Sequence, residues 1–223
     1  MKDKISEKTP SINVIDEMKI KDVIAVNEWF SKMMLEYRCA MMEIETKFNV
    51  LNEEFKLKFD RNPISSIKTR LKDPISLYMK TLRRGVSFSE TDVKDFITDI
   101  AGIRVICPFL EDVYMLSDAL LKQDDITLIT KKDYIENPKE NGYRSLHLIV
   151  SVPIFLENEK KHVKAEIQFR TIAMDFWASL EHQLRYKKGN SLTEEDGKEL
   201  LDCAEKSAEL DRKMDALKKR IIT

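Results

Sequence analysis

Two carboxylates, Asp99 and Glu166, stand in segments that otherwise read as buried strand, and each has an arginine close by, Arg104 and Arg170. In "DIAGIRVIC" (99–107) the end of the segment is apolar and β-branched, yet it carries Arg104 in its middle and Asp99 just ahead. In "HVKAEIQFRT" (162–171) Val163, Ala165, Ile167 and Phe169 alternate with Lys164, Glu166, Gln168 and Arg170, so the two sets point to opposite faces of a strand. Charges in a core need partners, and a structural ion-pair network would supply them. Two carboxylates with basic groups nearby would equally suit Mg²⁺ carrying a polyphosphate. Magnesium takes one or two carboxylates and fills its other positions with phosphate oxygens and water.

Two further stretches carry chemistry-bearing side chains. "RLKDPISLYMKTLRR" (70–84) gathers Arg70, Lys72, Lys80, Arg83 and Arg84 around a single acid, Asp73. Pro74 suits the first turn of a helix, and Ser76, Lys80 and Arg83 or Arg84 then fall along one face. A solvated helix face would explain this run; forked arginines and point-charge lysines beside a helix start also fit phosphate oxygens. "ENGYRSLHLIV" (140–150) opens on a glycine turn and brings Tyr143, Ser145 and His147 to one face at the start of a strand. It is either a hairpin with an aromatic residue at its entry or a site whose tyrosine ring is a platform for a base.

These residues need a scaffold, and the hydrophobic pattern supplies one. Over 23–55 apolar residues recur at spacings of three and four, which predicts helix, either one long or two broken near residues 49–52. Its methionines are expected in the core or at a subunit contact. "SETD" offers N-cap residues for a short helix. Strand and helix signals then alternate: a strand stopped by Pro108, an amphipathic helix over 110–123, extended runs over 126–135, 143–155 and 162–171, and helix from Ile172. A polar loop precedes a final amphipathic helix over 198–222.

The pattern predicts an α+β fold, a mixed β-sheet with helices packed on it and helical N- and C-terminal segments. The expected organisation is a flexible N-terminal arm (1–20), a helical segment (21–60), a catalytic domain (61–190) and a C-terminal helix (191–223).

With 223 residues, 43% of them hydrophobic, the chain can bury the core of one large domain or of a domain with helical extensions. Basic and acidic residues, 38 against 39, nearly cancel, so global charge argues for neither nucleic acid nor membrane, and only local clusters remain to do so. Cys39, Cys107 and Cys203 are widely separated and form no CxxC pair, which fits a reducing compartment and speaks against a structural zinc. No apolar run has the length of a membrane span, and the first residues lack the core of a signal peptide. A cytoplasmic protein without membrane contact is expected.

In their order and spacing, "TRLKDPISLYMKTLRR", "DIAGIRVIC", "ENGYRSLHLIV" and "AEIQFRTIAMDFWASLEHQLRYK" resemble the synthetase domain of the RelA/SpoT family, over residues 60–190. The chain is similar to the small alarmone synthetases of that family. None of its three histidines, His147, His162 and His182, is followed by aspartate, so the hydrolase domain of the long bifunctional members is not expected.

The resemblance implies a mixed sheet of the polymerase-β nucleotidyltransferase type. It implies a pyrophosphokinase that uses Mg²⁺ to transfer the β,γ-pyrophosphoryl group of ATP to the ribose 3′-hydroxyl of GDP or GTP, giving AMP and ppGpp or pppGpp. Asp99 would be the Mg²⁺ ligand, and Glu166 the second acid, assisting the metal or activating the hydroxyl. Arg70 and Arg104 would clasp adenine, while Lys72, Lys80 and Arg84 or Arg83, with Ser76 beside them, would hold the donor phosphates. Tyr143 would stack on guanine, with Gln168 and Asp175 near the acceptor and Lys139, Arg144 and His147 contacting its phosphates or ribose.

A homotetramer is the implied assembly, and single-stranded RNA is a further partner the resemblance allows. Effector-activated members carry an aromatic residue just before the first basic motif, where this chain has Ser65, Ser66 and Ile67, so activation by the product is not implied. The other readings are a different Mg²⁺-dependent nucleotidyltransferase and a regulator that binds single-stranded RNA through the basic stretch 68–84.

Overall fold

A computed structural model describes residues 28–187 and 193–221. The expected flexible arm, the beginning of the N-terminal helical segment and the centre of the polar loop lie outside them. The described residues form six helices and five strands: α1 (Glu28–Phe59), β1 (Ser66–Leu71), α2 (Pro74–Arg84), α3 (Glu90–Phe96), β2 (Ala101–Cys107), α4 (Leu110–Leu121), β3 (Thr127–Asp133), β4 (Leu146–Phe155), β5 (Lys160–Thr171), α5 (Ile172–Lys187) and α6 (Glu194–Ile221).

Of the two forms open for the N-terminal helix, the continuous one is found: α1 runs unbroken for 32 residues. Phe30, Met33, Tyr37, Ile44, Phe48, Leu51 and Phe55 are buried at helical spacing. Asn52, at the expected break, accepts a hydrogen bond from the Ile64 amide at 3.3 Å and ties α1 to the chain that enters the sheet. The methionines divide, Met33 and Met41 lying in the core and Met42 outside. Buried Glu36 receives Lys94 at 2.8 Å and Lys161 at 2.5 Å, pinning α1 to α3 and β5.

The sheet has the order β1-β2-β5-β4-β3, with β2 and β5 parallel and every other pair antiparallel. It is the mixed sheet expected. α1 and α4 pack on β2 and β5 and on each other, and the inward side chains of β5, Val163, Ala165, Ile167 and Phe169, are buried there. Phe48 of α1 meets Phe169 edge-on with ring centroids 5.5 Å apart. α1 therefore shares one core with the sheet. The opposite face of β5 carries Lys164, Glu166 and Gln168, all half-buried.

β1 was not anticipated as a strand. It is an edge strand whose middle residues are exposed, so nothing in it alternates between apolar and polar. The helix starts are as expected: Asp73 caps α2 by accepting from the Ser76 amide at 2.9 Å, with Pro74 in the first turn, and Ser89 caps α3. α6 begins ahead of the expected position and packs on α5 and α4. Among the described residues no helix is long and apolar enough to cross a membrane.

Candidate active site

Strand register assembles the site. β1 pairs with β2 so that Lys68 lies opposite Arg104 and Arg70 opposite Gly102; β2 pairs with β5 so that Gly102 lies opposite Glu166 and Arg104 opposite Gln168; β4 adds His147 opposite Gln168. Side chains directly across a sheet share a face. Lys68, Arg104, Gln168 and His147 thus form one row. In the neighbouring row Gly102 separates Arg70 from Glu166, and its missing side chain leaves the floor open. The result is a cleft of about 400 Å³ lined by Arg70, Lys72, Asp99, Arg104, Glu166 and Gln168, among others.

Asp99 stands at the entry to β2. The Lys72 amide donates to the Ile100 carbonyl at 2.9 Å, which draws the end of β1 against it. Oδ2 of Asp99 lies 3.1 Å from Lys72 Nζ and 2.7 Å from Lys80 Nζ, while its Oδ1 is buried and has no hydrogen-bond partner among the described residues. Burial works to raise the carboxyl's pKa, but the hydrogen bonds and charges of Lys80 and Lys72 outweigh it and hold the group below its usual range.

Glu166 is treated in the same way. Its Oε2 accepts from Gln168 at 2.9 Å and its Oε1 lies 3.4 Å from His147 Nδ1. Burial and the charge of Asp99 push its pKa up, and the contacts with His147 and Gln168 bring the balance below the ordinary value. Both acids are therefore ionised at neutral pH. Two carboxylates that feel each other across a cleft, one with an unpartnered buried oxygen, are a donor set that fits a hard divalent cation needing further oxygens from a substrate. Among the described residues no group of three potential metal-ligating side chains occurs, so the protein alone would not complete a coordination shell.

Beyond Glu166 lies an aromatic corner. Tyr143, just ahead of β4, has its hydroxyl 2.9 Å from His147 Nε2 and accepts from Arg170 Nη2 at 2.9 Å. Lys139 Nζ lies 4.9 Å from the Tyr143 ring centroid and 4.7 Å from that of Tyr134. Tyr134 also meets His147 edge-on at 5.2 Å. Arg170 continues to Asp175 Oδ1 at 3.0 Å, where Arg104 arrives at 3.1 Å, and Lys68 reaches Oδ2 at 2.9 Å. Burial acts to raise the pKa of Asp175, and these three cations lower it on balance. Nε of Arg104 and Nε of Arg170 are buried without partners, so the charges do not close into a satisfied network.

Most of the residues singled out in the sequence meet here. Arg70, Lys72, Asp99, Arg104, Glu166 and Gln168 line the cleft; Lys80 reaches it through Asp99, and Asp175 through Arg104; Lys139, Tyr143 and His147 form the adjoining corner. The others are engaged elsewhere. Arg83 Nε donates to the Met79 carbonyl at 3.3 Å, Arg84 donates to the Phe96 carbonyl, and Ser76 gives its amide to the cap at Asp73. Ser145 does not share the face of Tyr143 and His147; it is buried and donates to the Phe169 carbonyl at 2.9 Å. Arg144 turns away from the cleft to the Ala204 carbonyl on α6, at 3.1 Å.

Lys68 and Tyr134 are part of the constellation and have no role in the site on the sequence alone; Arg170, which the sequence sets beside Glu166, joins them at Tyr143 and Asp175. Alternation along β5 puts Arg170 on the face of Glu166 and Gln168, whereas Lys68 and Tyr134 carry no comparable pattern.

Comparison with known proteins places the architecture. Residues 69–191 match the family model described as a region found in RelA / SpoT proteins. GTP pyrophosphokinase YwaC of Bacillus subtilis (strain 168) is 40% identical over 211 residues, covering 95% of this chain and 98% of the relative. The crystal structure of small alarmone synthetase 2 from Bacillus subtilis superimposes with a TM-score of 0.79 at 42% identity, over 86% of this chain and 99% of the other. That of small alarmone synthetase 1 from the same organism, bound to its product pppGpp, gives a TM-score of 0.80 at 31% identity, over 88% and 100%.

Proposed function

Because the chain belongs to the RelA/SpoT family and is a GTP pyrophosphokinase of the small alarmone synthetase type, we propose that pyrophosphoryl transfer takes place in the cleft between β1, β2 and β5. Donor and acceptor occupy its two ends. Arg70 and Arg104 take the adenine ring between planar guanidinium groups, a geometry that lysine cannot offer. Lys72, just ahead of α2, and Lys80, on it, hold the triphosphate; Arg83 and Arg84, at the end of that helix, join them on leaving the Met79 and Phe96 carbonyls, and Ser76 lies in its first turn. Tyr143 receives guanine on its ring, Lys139 and His147 face the acceptor's phosphates and ribose, and Gln168 and Asp175 orient the groups around them.

The acceptor's 3′-oxygen attacks the β-phosphorus of ATP in line with the bridging oxygen to the α-phosphate. That P–O bond breaks, AMP leaves, and the hydroxyl proton passes to Glu166. Such a reaction needs alignment and charge neutralisation more than a covalent nucleophile. Asp99, with Glu166, is suited to hold Mg²⁺, which when bound would neutralise the polyphosphate. Lys72 and Lys80, which rest on Asp99, supply positive charge along the same line. His147 and Gln168 fix the carboxylate that receives the proton.

The buried, unpartnered Oδ1 of Asp99 carries this reading because of its place: it lies in the cleft with Lys72 and Lys80 beside it, where a cation and substrate phosphates would meet it. The test is to incubate the protein with Mg²⁺, ATP and, separately, GMP, GDP, GTP or a non-guanine nucleotide, and to resolve products by ion exchange. AMP in equal amounts with a guanosine 3′-pyrophosphate supports it; transfer to non-guanine acceptors at equal rates would point to a different nucleotidyltransferase.

The proposal extends to assembly and place. Leu35, Met42, Val50 and Leu57 leave an exposed apolar stripe along α1, as do Ile172, Phe176, Leu180 and Leu184 along α5. They support a homotetramer, to be read from light scattering. Exposed Lys68, Arg70, Arg83 and Arg84 give single-stranded RNA a second, salt-dependent way to bind, one that would survive loss of Asp99. The substrates fit a cytoplasmic enzyme.

A further inference from the structure

The loop that presents Tyr143 is moulded on the C-terminal helix. Gly142 has φ +84°, and a Cβ there would lie 2.5 Å from Ala204 Cβ and 3.0 Å from Leu201 Cδ1, so only glycine lets the loop backbone sit directly on α6. On the other side of Tyr143, Arg144 closes the contact. Its Nη1 donates to the Gly142 carbonyl at 3.3 Å and to the Ala204 carbonyl at 3.1 Å. Carbonyl oxygens have two lone pairs, and Ala204 can take this donor as well as its helical one. Tyr143 itself packs against Trp177, Ala178 and Ala204.

α6 is held in place independently of that loop. Trp177 Nε1 donates to the Leu200 carbonyl at 2.9 Å, and Ser207 Oγ to the Ala173 carbonyl at 3.1 Å, which fasten it to α5. Thr171, at the end of β5, donates to buried Asp211 at 2.6 Å, and Lys218 reaches Glu111 of α4 at 3.0 Å. The helix lies beyond the family-matched region, which ends at residue 191.

We propose that α6 sets the position of the acceptor platform, with Arg144 as the positioning residue that straps the Tyr143 loop to Ala204, and not as a ligand of the acceptor's phosphates. The inference rests on the reading of Tyr143 as the surface for guanine. It follows that acceptor affinity is governed from a helix outside the cleft, while the donor end, built on β1, α2 and β2, is untouched by it.

Steady-state kinetics of the full chain with GMP, GDP and GTP as acceptors test this. Arg144→Ala raises the acceptor KM about tenfold, by the same factor for all three, and leaves the ATP KM and kcat within about twofold. Arg144→Lys restores most of the loss, since one ammonium can replace the single Nη1 donor. Ala204→Val, which crowds Gly142 and lies on α6 outside the cleft, reproduces the split between acceptor and donor. A penalty that grows from GMP to GTP would make Arg144 a phosphate ligand and overturn the proposal. So would an equal rise in both KM values, or a lowered Tm with unchanged KM, either of which marks a merely structural contact. A wild-type chain that transfers to no acceptor would overturn the functional reading and this inference together, whereas wild-type turnover with unaltered variants would remove this inference alone.

Discussion

The Tyr143 hydroxyl and His147 Nε2 lie 2.9 Å apart, and the other ring nitrogen of His147 lies 3.4 Å from Glu166. The surface proposed for the acceptor base and the carboxylate proposed to take the 3′-hydroxyl proton are thus joined by a single imidazole. A base, its orienting partner and the substrate platform must hold a common geometry for the hydroxyl to be aligned.

His147→Ala therefore lowers kcat by roughly 10- to 100-fold, the range expected when a catalytic carboxylate loses its orienting partner, and leaves the ATP KM unchanged. Initial rates at saturating ATP and GDP measure it. A kcat equal to wild type would detach His147 from Glu166.

Tyr143→Ala raises the acceptor KM about tenfold or more, because stacking of a base on an aromatic ring is worth ~1–3 kcal/mol, and has little effect on the ATP KM. Tyr143→Phe separates ring from hydroxyl: it keeps the acceptor KM near wild type but loses the contacts to His147 and Arg170, so its deficit falls on kcat. Titrations of each variant against both substrates distinguish the two, and equal changes in both KM values after Tyr143→Ala would remove the stacking role.

Arg104→Ala weakens ATP by roughly threefold to thirtyfold, the worth of a guanidinium stacked on a partly desolvated ring. Calorimetric binding of a non-hydrolysable ATP analogue reads it directly. An unchanged affinity would leave Arg104 with its contact to Asp175 alone.

Asp175 contributes to the acid limb of stability, alongside other carboxylates whose pKa is lowered, among them Glu36, Asp99 and Glu166. Its pKa is lowered in the folded protein, so in the window between that lowered value and the ordinary carboxylate range the unfolded chain binds more protons, and stability rises with pH. The contribution is complete above about pH 4 and disappears as the pH falls through the folded pKa. Asp175→Asn leaves Lys68, Arg104 and Arg170 without their shared anion, costs on the order of 3 kcal/mol at neutral pH, and flattens this dependence. Urea midpoints of both proteins from acid to neutral pH measure the difference; parallel curves would contradict it.

Legibility in the sequence followed the strength of each physical signal. β5 was readable because four apolar residues must face the α1 and α4 side while Glu166 and Gln168 face the cleft, and α1 because its buried residues keep a helical repeat through Asn52. β1 was not, since an edge strand wet along its middle leaves no periodicity, and with it went the partnership of Lys68 and Asp175 across distant parts of the chain. The turn of Arg144 toward α6 was equally hidden. Alternation placed Tyr143, Ser145 and His147 on one face, but strand β4 begins only at Leu146, so the residues before it follow the loop and not the pleat.

In the proposed reaction Asp99 and Glu166 carry the transfer. The most direct measurement is the rate of AMP release with ATP, GDP and Mg²⁺ by the wild-type protein and by Asp99→Asn, alongside their thermal unfolding. The site described here requires turnover to fall roughly a thousandfold or more, the scale of losing charge stabilisation at the reacting phosphorus, with Tm nearly unchanged. Turnover within tenfold of wild type, or loss of activity only in step with loss of the fold, would contradict it.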